Sequence, residues 1–279
     1  MRLGLSSMVT SIVGLAIIGL LVLVAVFAPF IAPYDPTKGA LADRLTPPAW
    51  QEGGSSAHLL GTDLLGRDTL SRLIYGARTS LAVAVLAILV SGIVGSLLGS
   101  VAGYLGGWIN TIIMRAVDLA FSFPAILLAM VLAVVVGPSF FNIIFVISLV
   151  LWAEYARMAR GETLRVREMD FVALAQVAGV SKTGILMRHI LPNIASSLIV
   201  LATLQVGVVI IMESSLSFLG VGVPPPTPDW GSMIAEGRSY VVTAWWLSLV
   251  PGVAIVATVL SFNLLGDTLT ELINPSLQA

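Results

Sequence analysis

The sequence predicts an all-α integral membrane protein with six transmembrane helices, and three observations carry that prediction. Of 279 residues, 57% are apolar and only 10% are charged, well below the roughly one quarter that gives a soluble domain its polar shell. Charge-free runs recur that exceed the roughly 20 residues needed to cross hydrocarbon. Between them lie short segments that hold nearly all the charges, prolines and turn glycines.

The first charge-free run covers residues 4–34. It is much longer than a signal-peptide core of roughly 7–15 residues and ends in Ala28-Pro29 and Ala32-Pro33, a poor cleavage context, so residues 9–31 read as a retained first span. Residues 33–78 form a polar segment with five acidic and five basic side chains. Within it, the stretch 58–81 reads as an amphipathic entry to the next span. Thr62 or Asp63 is expected to cap its helix, and Asp68 with Arg72 to form an i,i+4 pair. Span two is expected at about 80–102, closed by the glycine-rich turn Gly103-Tyr-Leu-Gly-Gly107. The charge-free run 119–153 is divided by Gly137-Pro138, giving span three at about 109–136 and span four at about 140–158. Arg115 and Asp118, one turn apart, are expected to pair with each other near the membrane surface. Span five begins at Ile194 and runs to Met212. Its recurrent small and polar residues, Gln205 and Gly207 among them, suit close helix packing or a polar path. Glu213 and a proline-rich loop follow, then span six at about 244–266, with Trp245 and Trp246 suited to an interface belt. The expected division is an N-terminal span with its loop (1–78), a membrane core (79–268) and a short polar tail (269–279).

Function is bounded first by what is missing. A net charge of −1 excludes broad phosphate neutralisation of a nucleic acid. With no cysteine and only His58 and His189, no thiolate metal site or histidine cluster can form. Gly179-Val-Ser-Lys-Thr-Gly184 lacks the spacing of a phosphate loop, and no nucleophile elbow is present. Intramembrane carboxylates are counted as two, Asp118 and Glu213, fewer than a proton-relay carrier needs. The chain reads as a passage through the membrane that draws its energy from elsewhere.

Residues 157–193 suggest how. This segment holds six of the fourteen Lys and Arg residues and reads as two short helices around Gly179, neither long enough to span. Asp170 is expected to cap the first, with Phe171, Leu174, Ala175 and Ala178 on one face and Gly179 ending it. Ser181 caps the second, which runs to Leu191, and Pro192 suits the first turn of span five. An exposed apolar helix face fits a groove on a partner protein, or else the lipid headgroups. Six spans place both termini and this segment on one side. Eight Lys and Arg fall there against six on the other, which favours the cytoplasm.

ALAQVAGVSKTGILMRHILPN resembles the Glu-Ala-Ala…Gly…Ile-x-Leu-Pro signature of ABC-importer permeases. Three further stretches, GTDLLGRDTLSRLIYGARTSL, ESSLSFLGVGVPPPTPDWGSMIAEGR and FNLLGDTLTELINPSL, resemble the C-type permease subunit of dipeptide, oligopeptide and nickel importers. The resemblance covers about residues 10–277. It implies a six-helix type I importer subunit that pairs with a related permease, two cytosolic ATPases docked beneath, and an extracytoplasmic solute-binding protein. ATP and Mg²⁺ then belong to the ATPases, and this chain carries no cofactor and no catalytic residue. The coupling helix falls at about residues 172–184, within a cytoplasmic loop at about 158–193. Its contact set is Phe171, Val172, Ala173, Leu174, Ala175, Ala178, Gly179 and Ser181, closed by Leu191-Pro192. Ala173-Leu174-Ala175 replaces Glu-Ala-Ala, so the acid that commonly meets the ATPase is absent. Apolar docking through Phe171, Leu174 and Ala178 can substitute, with Arg188 or Arg165 supplying charge. The segment with Gly61, Asp63, Arg67, Asp68, Arg72 and Arg78, together with Glu213, Pro225 and Trp230, is expected at the outer gate or against the binding protein. An ATPase-independent channel or ion-coupled carrier is the alternative. Peptides are the first expected cargo, nickel chelates the second.

Overall fold

The computed structural model describes residues 5–273, with side chains over 12–271. Arg2, one of the charges counted for orientation, and residues 274–279 of the expected tail lie outside the described residues. Helix α1 (Leu5–Val26) is followed by the single turn α2 (Ala28–Ile31) and an irregular segment with one 3-10 turn at Leu41–Asp43. The long helix α3 (Thr69–Leu105) comes next. It starts eleven residues before the expected span, because Asp68, not Thr62 or Asp63, caps it: the Asp68 side chain accepts from the Ser71 amide. Gly106 and Gly107, both at positive φ, make the turn into α4 (Gly107–Phe121).

The expected third span is broken. α4 and α5 (Ala125–Val136) meet at a 91° bend at residues 122–124. Pro124 cannot donate an amide to continue the ladder, and it disfavours helical backbone at Phe123. Gly137, at φ 88, then turns the chain into α6 (Phe140–Val166). α6 runs eight residues past the expected span. Polar side chains on its later turns find partners: Arg157 pairs with Asp118 at 3.3 Å and Arg160 bonds Asn110 at 2.5 Å. Asp118 therefore pairs across helices, and not with Arg115 as its spacing suggested.

After the short helices α7 (Asp170–Val177) and α8 (Lys182–Ile185), a π-turn at Leu186–Ile190 leads into α9 (Leu191–Phe218). α10 (Trp230–Gly237) and α11 (Trp246–Ile273) complete the chain. Residues 269–273, expected as tail, continue α11. Trp246 is 2% exposed and donates to the Thr62 carbonyl at 3.2 Å, so it is a core anchor and not an interface ring.

α3 packs along α6 over the greatest length, and α9 lies against α3, α6 and α11, with α1 against α11 and α3. Close approach is possible because Gly95, Gly99 and Gly103 of α3 face the α6 backbone. A Cβ on Gly99 would overlap the Ala156 carbonyl, and one on Gly103 would lie 2.9 Å from that of Arg160. Val83, Ala84 and Ala87 of α3, Val146 and Ile147 of α6, and Val209 and Ile210 of α9 form a core with no exposure. Large apolar side chains cover the outside, among them Val135 (78% exposed) and Phe141 (75%), as a chain solvated by lipid or by partner subunits requires. Among the described residues, four helical stretches are long and apolar enough to cross a membrane: residues 69–105, 140–166, 182–218 and 246–271. The bent pair α4–α5 raises this to five, while the apolar stretch Ile12–Val26 within α1 is shorter.

Candidate functional site

Two polar assemblies stand out, one in the loop end formed by residues 32–68 and 219–245, the other around α7 and α8. In the first, glycines set the path. Gly61 (φ 75) and Gly66 (φ 71) adopt backbone that L side chains avoid, and a Cβ on Gly66 would overlap the Ala40 carbonyl. The bridge between Gly39 and Arg67 and that between Thr62 and Asp68 hold this loop against the start of α3. The loop thereby delivers Asp63, Arg67, Asp68 and Arg72 to the interior, each at most 5% exposed.

Four of the charges there close a network. Arg67 Nε donates to Asp63 Oδ2 at 2.6 Å and its Nη2 to Glu236 Oε2 at 3.0 Å. Arg72 bonds Asp63, and also reaches Glu236 Oε2 from Nη1 at 2.6 Å and Oε1 from Nη2 at 3.1 Å. The expected Asp68–Arg72 pair does not form. Asp68 instead caps α3 and lies 3.0 Å from His58 Nδ1, and the His58 ring sits 5.0 Å from Tyr34. Buried charges persist only when paired and hydrogen-bonded, and two guanidiniums between two carboxylates satisfy that condition.

Trp230, 1% exposed, lies on Gly76 of α3 and donates to the Leu73 carbonyl at 3.1 Å. Asp229 caps α10 through the Ser232 amide at 2.9 Å. Burial pushes the Asp229 carboxyl above its ordinary value, and its charged neighbour is the buried Glu213. Glu213, with no exposure, accepts from Ser80 at 3.1 Å and Ser217 at 3.0 Å. The structure thus gathers Gly61, Asp63, Arg67, Asp68, Arg72, Glu213 and Trp230 under the loop end. Arg78 and Pro225 are exposed and stand apart from the charge network. Glu236, which ties the network together, was not singled out from the sequence; its only signal is the excess of acid in residues 213–238, where Glu213, Asp229 and Glu236 face the single base Arg238.

At the other assembly, α7 begins after Met169, so Asp170 occupies the first turn and is not the cap. Negative charge there still suits the helix N-terminus. Val172 and Ala175 are buried against Ile185, Leu186, Ile190 and Ile194. This corrects the expected face: Ala175 turns inward, and Val177 joins the outward set. Leu174 is 68% and Val177 88% exposed, with Phe171, Ala173 and Ala178 also exposed. The reason is the three-residue step from 172 to 175, which fits the corner made by α6 and the π-turn, while 171, 174 and 177/178 share the opposite stripe. Gly179 (φ 78) ends the helix, and the Ser181 hydroxyl caps α8 by accepting from the Gly184 amide at 3.1 Å. Leu191 is half-buried, and Pro192 lies in the first turn of α9. Arg165 is held by Glu162 at 2.7 Å, whereas Arg188 is exposed. The expected polar loop also shortens, since residues 158–166 belong to α6.

Between α3 and α9 lies an apolar cavity of about 510 Å³ bordered by Tyr155 of α6. Above it Glu154 accepts from Gln205 Nε2 at 2.5 Å. Glu154 falls inside the expected fourth span, at about 140–158, and within α6, so the expected count of two intramembrane carboxylates, Asp118 and Glu213, omits it.

Comparison with known proteins supplies the identity. Residues 95–279 match the family model described as binding-protein-dependent transport system inner membrane component, and residues 9–48 match the N-terminal transmembrane domain of oligopeptide transport permease C. The chain is 46% identical over 268 residues to the dipeptide transport system permease protein of Escherichia coli (strain K12), covering 96% of this chain and 89% of that one. It is 41% identical to the di/tripeptide permease protein of Pseudomonas aeruginosa (strain UCBPP-PA14), over 95% and 88% of the two chains. Against the glutathione transport system permease protein of Escherichia coli O6:K15:H31 the identity is 43%, over 93% and 84%. These matches set aside the ATPase-independent channel or carrier. The chain belongs to the family of binding-protein-dependent transport system inner membrane components, the permease subunits of ABC importers.

Proposed function

We propose that this chain is the C-type permease of a peptide importer. It would pair with a second homologous permease, dock two ATPase subunits through α7, and receive cargo from an extracytoplasmic solute-binding protein at the loop end. Six spans, with α1 the first and α4–α5 the bent third, put both termini and α7 on the cytoplasmic side of the inner membrane. ATP and Mg²⁺ bind the ATPases, and no cofactor is held by this chain. The observation that carries the reading is α7 itself, an eight-residue helix fastened by Val172 and Ala175 that presents Leu174 and Val177 outward. Apolar side chains of that size contribute about 1.5–3 kcal/mol each when a partner covers them, which compensates for the missing acid at position 173. Dipeptides are the proposed cargo because the named relatives include dipeptide and di/tripeptide permeases of nearly full-length similarity.

In this reading the network of Asp63, Arg67, Arg72 and Glu236 braces the outer gate, and the exposed Pro225 loop and Arg78 are the parts free to touch the binding protein. The coupling assignment is tested by reconstituting the full transporter with Leu174→Asp and, separately, Gly179→Pro. Peptide uptake is expected to fall about tenfold or more, with loss of binding-protein stimulation of ATP hydrolysis. Wild-type uptake by both variants would overturn it.

A further inference from the structure

Glu154 lies at the middle of α6, fourteen residues after Phe140 and twelve before Val166. Gln205 lies at the middle of α9, fourteen after Leu191 and thirteen before Phe218. At a rise of 1.5 Å per residue both are about 18 Å or more from either helix end. They meet inside two of the helical stretches that are long and apolar enough to cross a membrane.

A carboxylate within a span is rare and costly unless it faces the protein interior, a cation or a water-filled path. Glu154 is exposed on this chain, and among the described residues no basic side chain pairs with it. The nearest cation along the helix, Arg157, is engaged by Asp118 at 3.3 Å and lies 4.0 Å over the Phe121 ring. Gln205 is 3% exposed; its Nε2 is spent on Glu154, and its Oε1 is buried without a hydrogen-bond partner among the described residues. The neighbouring Tyr155 hydroxyl is likewise buried and unpartnered. The place therefore offers one exposed carboxylate, held by a buried amide, with no cation of its own among the described residues. It wants an ammonium group.

We propose that Glu154, oriented by Gln205, is a station between the spanning helices for the α-ammonium group of the peptide as it passes. This rests on the peptide-import reading above. An ammonium crossing a dry path loses its hydration, and a fixed carboxylate replaces part of it. Passage also requires that the hold be weak enough to release, and a single exposed carboxylate meets that condition better than a closed cage. The α9 residues Ala195, Leu198 and Ala202 border the apolar cavity and fall at three- and four-residue steps that continue to Gln205. A cargo side chain thus has apolar volume next to the point where its ammonium is held. Gln205 is a positioning residue, since its donated hydrogen bond fixes the carboxylate.

The test uses the complete transporter, with both permeases, ATPases and binding protein, in proteoliposomes. Dipeptide uptake at saturating binding protein and the stimulated ATP hydrolysis are measured together for wild type, Glu154→Gln, Glu154→Asp and Gln205→Ala. Glu154→Gln is expected to lower uptake about tenfold or more, the size of one charge-assisted hydrogen bond, while stimulated hydrolysis stays within about twofold. Glu154→Asp is expected to recover most of the uptake, and Gln205→Ala to give an intermediate loss. If Glu154→Gln lowers hydrolysis and complex recovery along with uptake, the carboxylate serves a cation of the second permease and the station is overturned. Unchanged uptake in Glu154→Gln beside an active wild type overturns the station alone. No dipeptide uptake by wild type overturns the peptide reading and the station with it.

Discussion

Asp229 combines two duties that pull against each other. Its Oδ1 accepts the Ser232 amide and caps α10, whereas its Oδ2 is buried with no hydrogen-bond partner among the described residues. Burial, the largest cause, raises its carboxyl above the ordinary value. A carboxyl shifted upward holds its proton more readily folded than unfolded, so the stability it contributes is complete below the ordinary carboxylate range. That stability is lost as pH rises through the raised value. Asp229→Asn keeps a capping oxygen and removes the charge. The purified transporter carrying it should lose less thermal stability than wild type does as pH rises above the ordinary carboxylate range; an unaltered or steeper loss would show that Asp229 is not the group responsible. Individual charges were visible in the sequence, but their partners were not. Spacing suggested Asp68 for Arg72, yet the carboxylates it binds are Asp63 and Glu236, the latter 164 positions away. Only the loop path fixed by Gly61 and Gly66 brings Asp63 round to the same guanidinium.

At the scale of elements, the glycines of α3 decide how the bundle closes. Gly92 has room: an added Cβ would sit 3.5 Å from the Tyr155 ring, ordinary contact. Gly99 has none, because the nearest atom is a carbonyl oxygen of the α6 backbone that no rotamer change can move. Gly99→Ala should therefore destabilise the α3–α6 pair by about 1–3 kcal/mol, lowering the melting temperature and yield of the purified complex, while Gly92→Ala leaves both near wild type. Equal behaviour of the two variants would refute this packing account. Helix existence was legible from charge-free runs, and the turns at Gly137 and Gly179 were legible from glycine chemistry. Helix ends were not. α3 and α6 continue past their apolar runs because the polar turns beyond those runs are held by tertiary partners, the Asp68 cap on one and the Asp118 and Asn110 contacts on the other. The break between α4 and α5 was signalled by Pro124 but masked by uniform apolarity on both sides. The outward face of α7 was half legible: a three- to four-residue stripe was evident, but which stripe faced inward depended on the corner that receives Val172 and Ala175.

For the whole molecule, the two polar assemblies occupy different ends of one helical body, one braced internally by buried ion pairs and the other open through α7. The class of protein was legible from composition alone, since so few charges can solvate so much apolar surface only if lipid does the rest. Its sidedness rested on eight cations against six, which is a weak preference, and it can be tested without disturbing the core. The natural sequence has no cysteine, so single replacements report without background. Leu41, 73% exposed in the first loop, and Val177, 88% exposed on α7, are suitable positions. In intact cells treated to admit reagents past any outer membrane, a thiol reagent that cannot cross the inner membrane should label Leu41→Cys. It should leave Val177→Cys unlabelled until the inner membrane is opened. Co-expression of the ATPases should then reduce labelling at Val177→Cys, because the docking groove covers it, and leave Leu41→Cys unchanged. Labelling of Val177→Cys from outside would invert the proposed topology. Labelling from inside that the ATPases do not reduce would keep the topology and move the coupling contact away from α7.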